Sequence, residues 1–244
     1  MIKNITKIIL IILIIIFLIN FIFNNYINKS KLNSNCWINN DLYPEAKYIY
    51  ENREIIKKEL LNILKSNKWS KWQSYEDNAP IFTKMTTQDI LNKLETTYGK
   101  INDKNDGSWR LYGLILNKIP LETSKLCPNT IKILSKYSNK ILNAGFSLIE
   151  PRGETKTHQD YNNNFYRLHI PLLIPQNNMD FKNKNKSSII KDNMSKDNLS
   201  IFEVDGEKRI WFDDEYFIFD DTCVHNAQNN TDENRIVLLV DLLK

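Results

Sequence analysis

The sequence predicts a mainly β domain, a sandwich or jelly roll, flanked by N-terminal helices and preceded by one transmembrane helix. Three observations carry that expectation. The second half of the chain is a series of short segments rich in aromatic and β-branched residues, parted by turn residues. The stretch just before it has helical spacing. The N-terminus is an unbroken apolar run.

The run comes first. From Ile8 to Ile19 every residue is Ile, Leu or Phe, and after Asn20 it continues through Phe21, Ile22 and Phe23. That reaches the ~20 residues a helix needs to cross a bilayer. Lys3 and Lys7 precede it, and no small-residue cleavage pattern follows. Residues 1–28 therefore read as an uncleaved, single-pass signal anchor, with the rest of the chain expected in a lumen. Residues 29–43 read as a polar linker and residues 44–244 as the folded domain.

Within that domain, Ile49, Ile56, Leu60, Ile63 and Leu64 share one helical face between Pro44 and Leu64. A second helix is expected from Gln88 to Tyr98, stopped by Gly99, and a third after Pro128. Strands are expected at Trp109–Leu116, Gly145–Glu150, Tyr166–Ile174, Ile201–Val204, Lys208–Phe212, Tyr216–Phe219 and Arg235–Leu242. Residues 176–199, dominated by Asn, Lys, Asp and Ser, read as a mobile inserted loop.

The net charge of +4 is small and the lysines are dispersed among Asn and Asp. A nucleic-acid binder would carry a basic stripe, so no nucleic-acid partner is expected. Cys36, Cys127 and Cys223 make no metal-type pair. They allow one disulfide in a lumenal domain or three inert thiols.

The chemistry-bearing residues are few. The chain has three histidines, His158, His169 and His225, all in the β-rich half. In Thr157-His158-Gln159-Asp160, His158 and Asp160 are two apart and share a face if the backbone is extended. Two imidazoles and a carboxylate on one face of a metal leave open positions opposite, as in non-haem Fe(II) oxygenases, where a keto acid and O2 bind together. Zinc would accept the same three ligands. Arg235 opens the apolar run Ile236–Val240, ten residues after His225. A guanidinium at the mouth of a barrel strand is costly unless it meets an anion, and its fork matches a carboxylate. The turn at Asn229–Asp232 implies that the segments of His225 and Arg235 are neighbouring antiparallel strands. In Tyr166-Arg167-Leu168-His169, alternation puts Arg167 and His169 together on the face opposite Leu168, Ile170 and Leu172.

Taken together, Phe146-Ser147-Leu148-Ile149-Glu150-Pro151-Arg152-Gly153 to His158, Arg167-Leu168-His169, Phe219-Asp220-Asp221 to His225, and Arg235 resemble the aspartyl/asparaginyl β-hydroxylase family. Trp109 and Cys127-Pro128-Asn129-Thr130 are similar to its landmarks. The resemblance implies a double-stranded β-helix, Fe(II) on His158 and His225, and 2-oxoglutarate bound through Ser147, Arg167, His169 and Arg235 with Trp109 nearby. It implies a dioxygenase that hydroxylates an unactivated C–H, with a peptide or protein as the leading substrate class. Animal members that act on peptides have glycine where this chain has Asp160. Here Asp160 completes a triad, as in bacterial relatives acting on free amino acids or lipid acyl chains. A lipid or amino-acid hydroxylase is thus the alternative within the family. A non-catalytic, membrane-tethered binding module is the alternative outside it.

Overall fold

A computed structural model describes residues 36–66, 69–71, 98–99, 109–160, 162–191 and 194–244. The expected anchor over residues 1–28 and the expected helix from Gln88 lie outside the described residues, apart from Tyr98–Gly99, which is a short strand. Among the described residues no helix is long and apolar enough to cross a membrane.

Thirteen strands are described: β1 (Trp37–Ile38), β2 (Trp69–Lys71), β3 (Tyr98–Gly99), β4 (Trp109–Leu116), β5 (Ile119–Pro120), β6 (Ile141–Ile149), β7 (Glu154–His158), β8 (Phe165–Leu173), β9 (Ser200–Val204), β10 (Glu207–Ile210), β11 (Phe217–Phe219), β12 (His225–Asn229) and β13 (Arg235–Leu243). They form two antiparallel sheets. The larger runs β1-β11-β8-β13-β6-β4-β2-β3, with β5 beside β4, and the smaller runs β10-β9-β12-β7. Four α-helices are described: α1 (Pro44–Glu51), α2 (Arg53–Ile63), α3 (Pro128–Ser135) and α4 (Gln176–Asn185).

Alternation along the strands explains the layers. In β13, Ile236, Leu238, Val240 and Leu242 join a core with Leu168, Ile170 and Leu172 of β8, Phe146 and Leu148 of β6, and the inward faces of α1, α2 and α3. The opposite faces of the large sheet meet the small sheet in a second core. There Ile149, Phe217, Phe219 and Val237 pack against Phe202, Val204 and Ala227, with Trp211 between the sheets. One face of each central strand therefore serves helices and the other lines a barrel interior.

Several expectations hold. The helix after Pro128 and the seven strand segments are present, with ends shifted by a few residues. The helical stretch from Pro44 is broken at Asn52, whose side chain donates to the Tyr48 carbonyl at 2.9 Å. Other expectations need correcting. The linker does not extend to residue 43, because Cys36 is buried and bonded to Cys223, and Trp37 pairs with Phe219. Residues 176–199 are not a structureless loop. They begin with α4, whose buried Asn178 donates to the carbonyls of Ser200 and Trp211 and accepts from the Ser200 amide. One buried amide with three partners anchors a helix that apolar content alone would not announce. The strands carrying His225 and Arg235 are not neighbours. β12 pairs with β7 and β9, β13 with β6 and β8, so the turn between them crosses from one sheet to the other.

The helical layer is tied together by Glu59 of α2. Its carboxylate accepts from Asn129 N and Nδ2, both at 2.9 Å, from Thr130 N at 2.8 Å and from Thr130 Oγ1 at 2.7 Å. It thus caps the N-terminus of α3, where the chain's own cap residue offers no side-chain bond. Burial pushes its pKa up, but these bonds outweigh it and hold the carboxyl below its ordinary value of 4.5. Because the folded-state value is the lower one, this stability is present above pH 4.5 and is lost as pH falls through the folded value. Glu59→Ala is expected to lower unfolding stability by about 3 kcal/mol at neutral pH. Urea unfolding should show that difference shrinking in acid, and a difference that stays constant with pH would contradict the capping role.

Candidate active site

The site is built between the two sheets, from strands that the polar residues of β7 and β12 do not announce. His158 ends β7 and lies directly across from His225, which opens β12. Their ring centroids are 4.2 Å apart. In each ring Nδ1 faces a backbone carbonyl two residues back, Lys156 O at 2.6 Å for His158 and Cys223 O at 2.8 Å for His225. That contact places the proton on Nδ1 and the lone pair on Nε2. Burial lowers the pKa of both, and the proximity of His158 helps bring His225 down to about 3. Both imidazoles are therefore neutral bases, the form that binds a metal. The loop delivering His225 is pinned by the Cys36–Cys223 disulfide and by the Asp220 amide on Cys36 O at 2.8 Å. Of the alternatives open for the cysteines, the structure has one disulfide and one buried thiol, Cys127.

Across the interior sits Arg235, 1% exposed. Its NH1 reaches the Ser147 carbonyl at 3.4 Å, its Nε has no hydrogen-bond partner, and among the described residues no carboxylate pairs with it. Burial alone pulls its pKa down to about 9. A second unpartnered donor or acceptor is Nδ1 of His169, a ring kept neutral by burial and by Arg235.

The contacts close into a circuit around this interior. From Ser147, whose Oγ accepts from Trp109 Nε1 at 3.0 Å, the path runs to His158, 5.9 Å from Trp109 between ring centroids. It continues through His225 to Phe219 at 5.2 Å, to His169 at 5.2 Å, to Trp211 at 6.1 Å, and back to Arg235, whose guanidinium lies 4.3 Å from the Trp211 ring centroid. Of the sequence candidates, the structure thus brings together His158, His225, His169, Ser147, Trp109 and Arg235.

The other two are placed differently. Arg167 shares the inner face with His169, as expected, but its fork is taken up by Asp241 on the paired strand at 2.8 and 3.2 Å, and by Asp221 at 2.6 Å. Asp160 follows β7, with its amide on the Asp221 carbonyl and its Oδ1 accepting from the Asn162 amide at 2.9 Å. Among the described residues, no group of three or more His, Cys, Asp and Glu side chains has the geometry to hold a metal ion. The two histidines are the fitting pair.

Sequence reasoning misses three residues of this site. Asp221 and Asp241 look like ordinary surface acids in the sequence, and only the pairing of β8 with β13 and β11 brings them onto Arg167. Asp221 Oδ1 also lies 3.3 Å from His225 Nε2. Burial, with neighbouring acids adding and Arg167 opposing, pushes its carboxyl up to about 7. Trp211 is the third, and its sole sequence signal is an aromatic residue beside a strand.

The interior of this two-sheet β barrel thus carries paired neutral imidazoles at one side and, at the other, a guanidinium with no carboxylate partner among the described residues. Residues 50–244 match the family model described as Aspartyl/Asparaginyl beta-hydroxylase, and the chain belongs to that family. It is 31% identical over 160 residues, covering 65% of this chain and 48% of the relative, to the ornithine lipid ester-linked acyl 2-hydroxylase of Rhizobium tropici. The chain thus spans about half the length of that curated relative. Solved structures that resemble it include a Cupin 2 conserved barrel domain protein from Salinispora arenicola (13% identity, 58% of this chain and 85% of that one, TM-score 0.32). Another is a cupin domain from Bordetella pertussis (12% identity, 42% and 81%, TM-score 0.28). At these scores the likeness carries no argument, and the barrel assignment rests on the sheets themselves.

Two stability measurements separate the two arginines. Arg235→Met removes a buried charge that has no carboxylate partner among the described residues and is expected to leave stability unchanged or raise it by up to about 4 kcal/mol. Arg167→Ala strands two buried carboxylates and should cost about 3–5 kcal/mol. Calorimetry that found Arg235→Met as costly as Arg167→Ala would show that Arg235 is held as an ion pair in the folded protein.

Proposed function

We propose that this chain is an Fe(II)- and 2-oxoglutarate-dependent hydroxylase acting on a lipid acyl chain. The observation that carries the reading is the closed circuit of side chains with two neutral Nε2 donors at one side and the unpaired Arg235 at the other. His158 and His225 would hold the metal, with Asp160 the nearby carboxylate that the sequence nominates. When bound, Fe(II) with 2-oxoglutarate and O2 supplies the oxidising power: R–H, O2 and 2-oxoglutarate become R–OH, succinate and CO2. The chain's own residues do the rest. Arg235 offers its donors to the distal carboxylate, Ser147 and Trp109 form the wall between that arginine and His158, and His169 offers Nδ1 to the same space. Phe202, Phe219, Val204 and Val237 keep the interior dry, which strengthens each polar contact inside it.

For the substrate, the similarity to an acyl 2-hydroxylase supports the lipid reading over the peptide reading that leads from sequence alone. An apolar N-terminal run that tethers the chain to a bilayer would bring enzyme and lipid together. The Cys36–Cys223 disulfide supports a lumenal or other oxidising location for the domain.

The test uses the full chain in lipid nanodiscs, loaded with Fe(II) and 2-oxoglutarate under anaerobic conditions. On admitting O2, succinate should form in step with a hydroxyl group on an acyl chain, read by mass spectrometry. Hydroxylated peptide without hydroxylated lipid would overturn the substrate assignment, and no succinate at all would overturn the oxygenase reading. His158→Ala or His225→Ala should lose more activity than the ~100-fold that follows loss of a residue supporting a metal ligand. Arg235→Ala should raise the 2-oxoglutarate requirement roughly 100-fold with a smaller effect on kcat.

A further inference from the structure

We propose that Trp211 is a positioning residue for the cosubstrate: its indole face carries the Arg235 guanidinium and leaves that group's donors open for a dicarboxylate. The inference rests on the cosubstrate reading above and extends it to a residue outside the expected binding set.

A guanidinium enclosed in an apolar interior needs compensation. A carboxylate partner would supply it, as Asp221 and Asp241 do for Arg167, but only by occupying the N–H groups that a ligand would use. An aromatic face compensates the charge from above the guanidinium plane and uses none of them. Arg235 is in the second situation. Its Cζ lies 4.3 Å from the Trp211 ring centroid, its one hydrogen bond is the long contact to Ser147 O at 3.4 Å, and its Nε is buried without a partner.

Trp211 is built to stay in place. Its side chain is fully buried and stacks on Phe202, with centroids 5.3 Å apart and planes at 27°. Its carbonyl accepts from Asn178 Nδ2 at 3.1 Å, so the helix α4 that follows β8 holds the residue from behind. The indole N–H is buried without a partner, which costs free energy that a plain phenyl ring would avoid. Indole is also the aromatic ring with the most attractive face for a cation. The position therefore accepts a penalty on one edge of the ring in return for the strongest available face.

The experiment compares the full chain with its Trp211→Leu and Trp211→Phe variants, binding glutarate in the absence of metal, by titration calorimetry. Glutarate spans the two carboxylates of the cosubstrate without needing an iron to chelate. Trp211→Leu is expected to weaken glutarate about thirtyfold, the ~2 kcal/mol of a desolvated cation–π pair converted at 1.4 kcal/mol per decade. Trp211→Phe, which keeps a ring with a weaker face, is expected to lose about threefold, and it decides the matter if the leucine variant does not fold. Cobalt(II) affinity, read from its visible bands, should be unchanged in both variants, because the contact they remove is the one to Arg235. Glutarate affinity that survives either substitution, or cobalt affinity that falls with it, would overturn the positioning role. A wild-type chain that binds no glutarate would remove the cosubstrate reading and this inference together.

Discussion

The charge on Arg235 has no counter-ion among the described residues, and the arrangement around it depends on that fact. A lone cation in a dry interior is tolerated only where something offsets its lost hydration. Here the offsets are the face of Trp211 and one backbone carbonyl. Around it, Trp211, Phe202, Phe219 and His169 form an aromatic wall that keeps water out. The same wall brings the neutral His169 ring toward the arginine, whose charge helps keep that ring unprotonated.

The two arginines on the inner face illustrate how a sheet divides labour. Arg167 and Asp241 are direct cross-strand partners, and Asn143 on the other side of β13 donates to the same aspartate at 2.8 Å. With Asp221, whose carboxylate lies 2.6 Å from the Arg167 guanidinium, this makes a row of paired charges on the large sheet. Arg235, at the opposite end of β13, has no such row. A buried group whose donors are spent contributes to structure, and one whose donors remain open can bind a ligand. The alternation that places both arginines on one face of the sheet does not distinguish them. Their neighbours on the adjacent strands do.

Much of this was legible in the residues. Short aromatic and β-branched segments announce the strands of the large sheet because each has an apolar face against the helical layer. Of the strands carrying the two candidate histidines, only that of His225 was legible, through the turn at Asn229–Asp232, because Glu-Thr-Lys-Thr-His and His-Asn-Ala-Gln-Asn carry few apolar residues. They are strands through pairing with each other and with β9. Likewise α4 has no apolar face to advertise it, and its place depends on Asn178 finding two carbonyls and an amide that are distant in sequence.

The sequence by itself determined the mainly β class, the helices after Pro44 and Pro128, the small set of chemically capable residues, and the family they resemble. Local periodicity and residue type suffice for these, because each depends on neighbours within one segment. Only the tertiary structure decided which candidates face one another. It put His225 and Arg235 on different sheets across one interior, bound Arg167 to two acids, joined Cys36 to Cys223, and set Trp211 under the unpaired arginine. Those outcomes depend on strand register and sheet packing, which are properties of contacts between distant segments and leave little trace in any one of them.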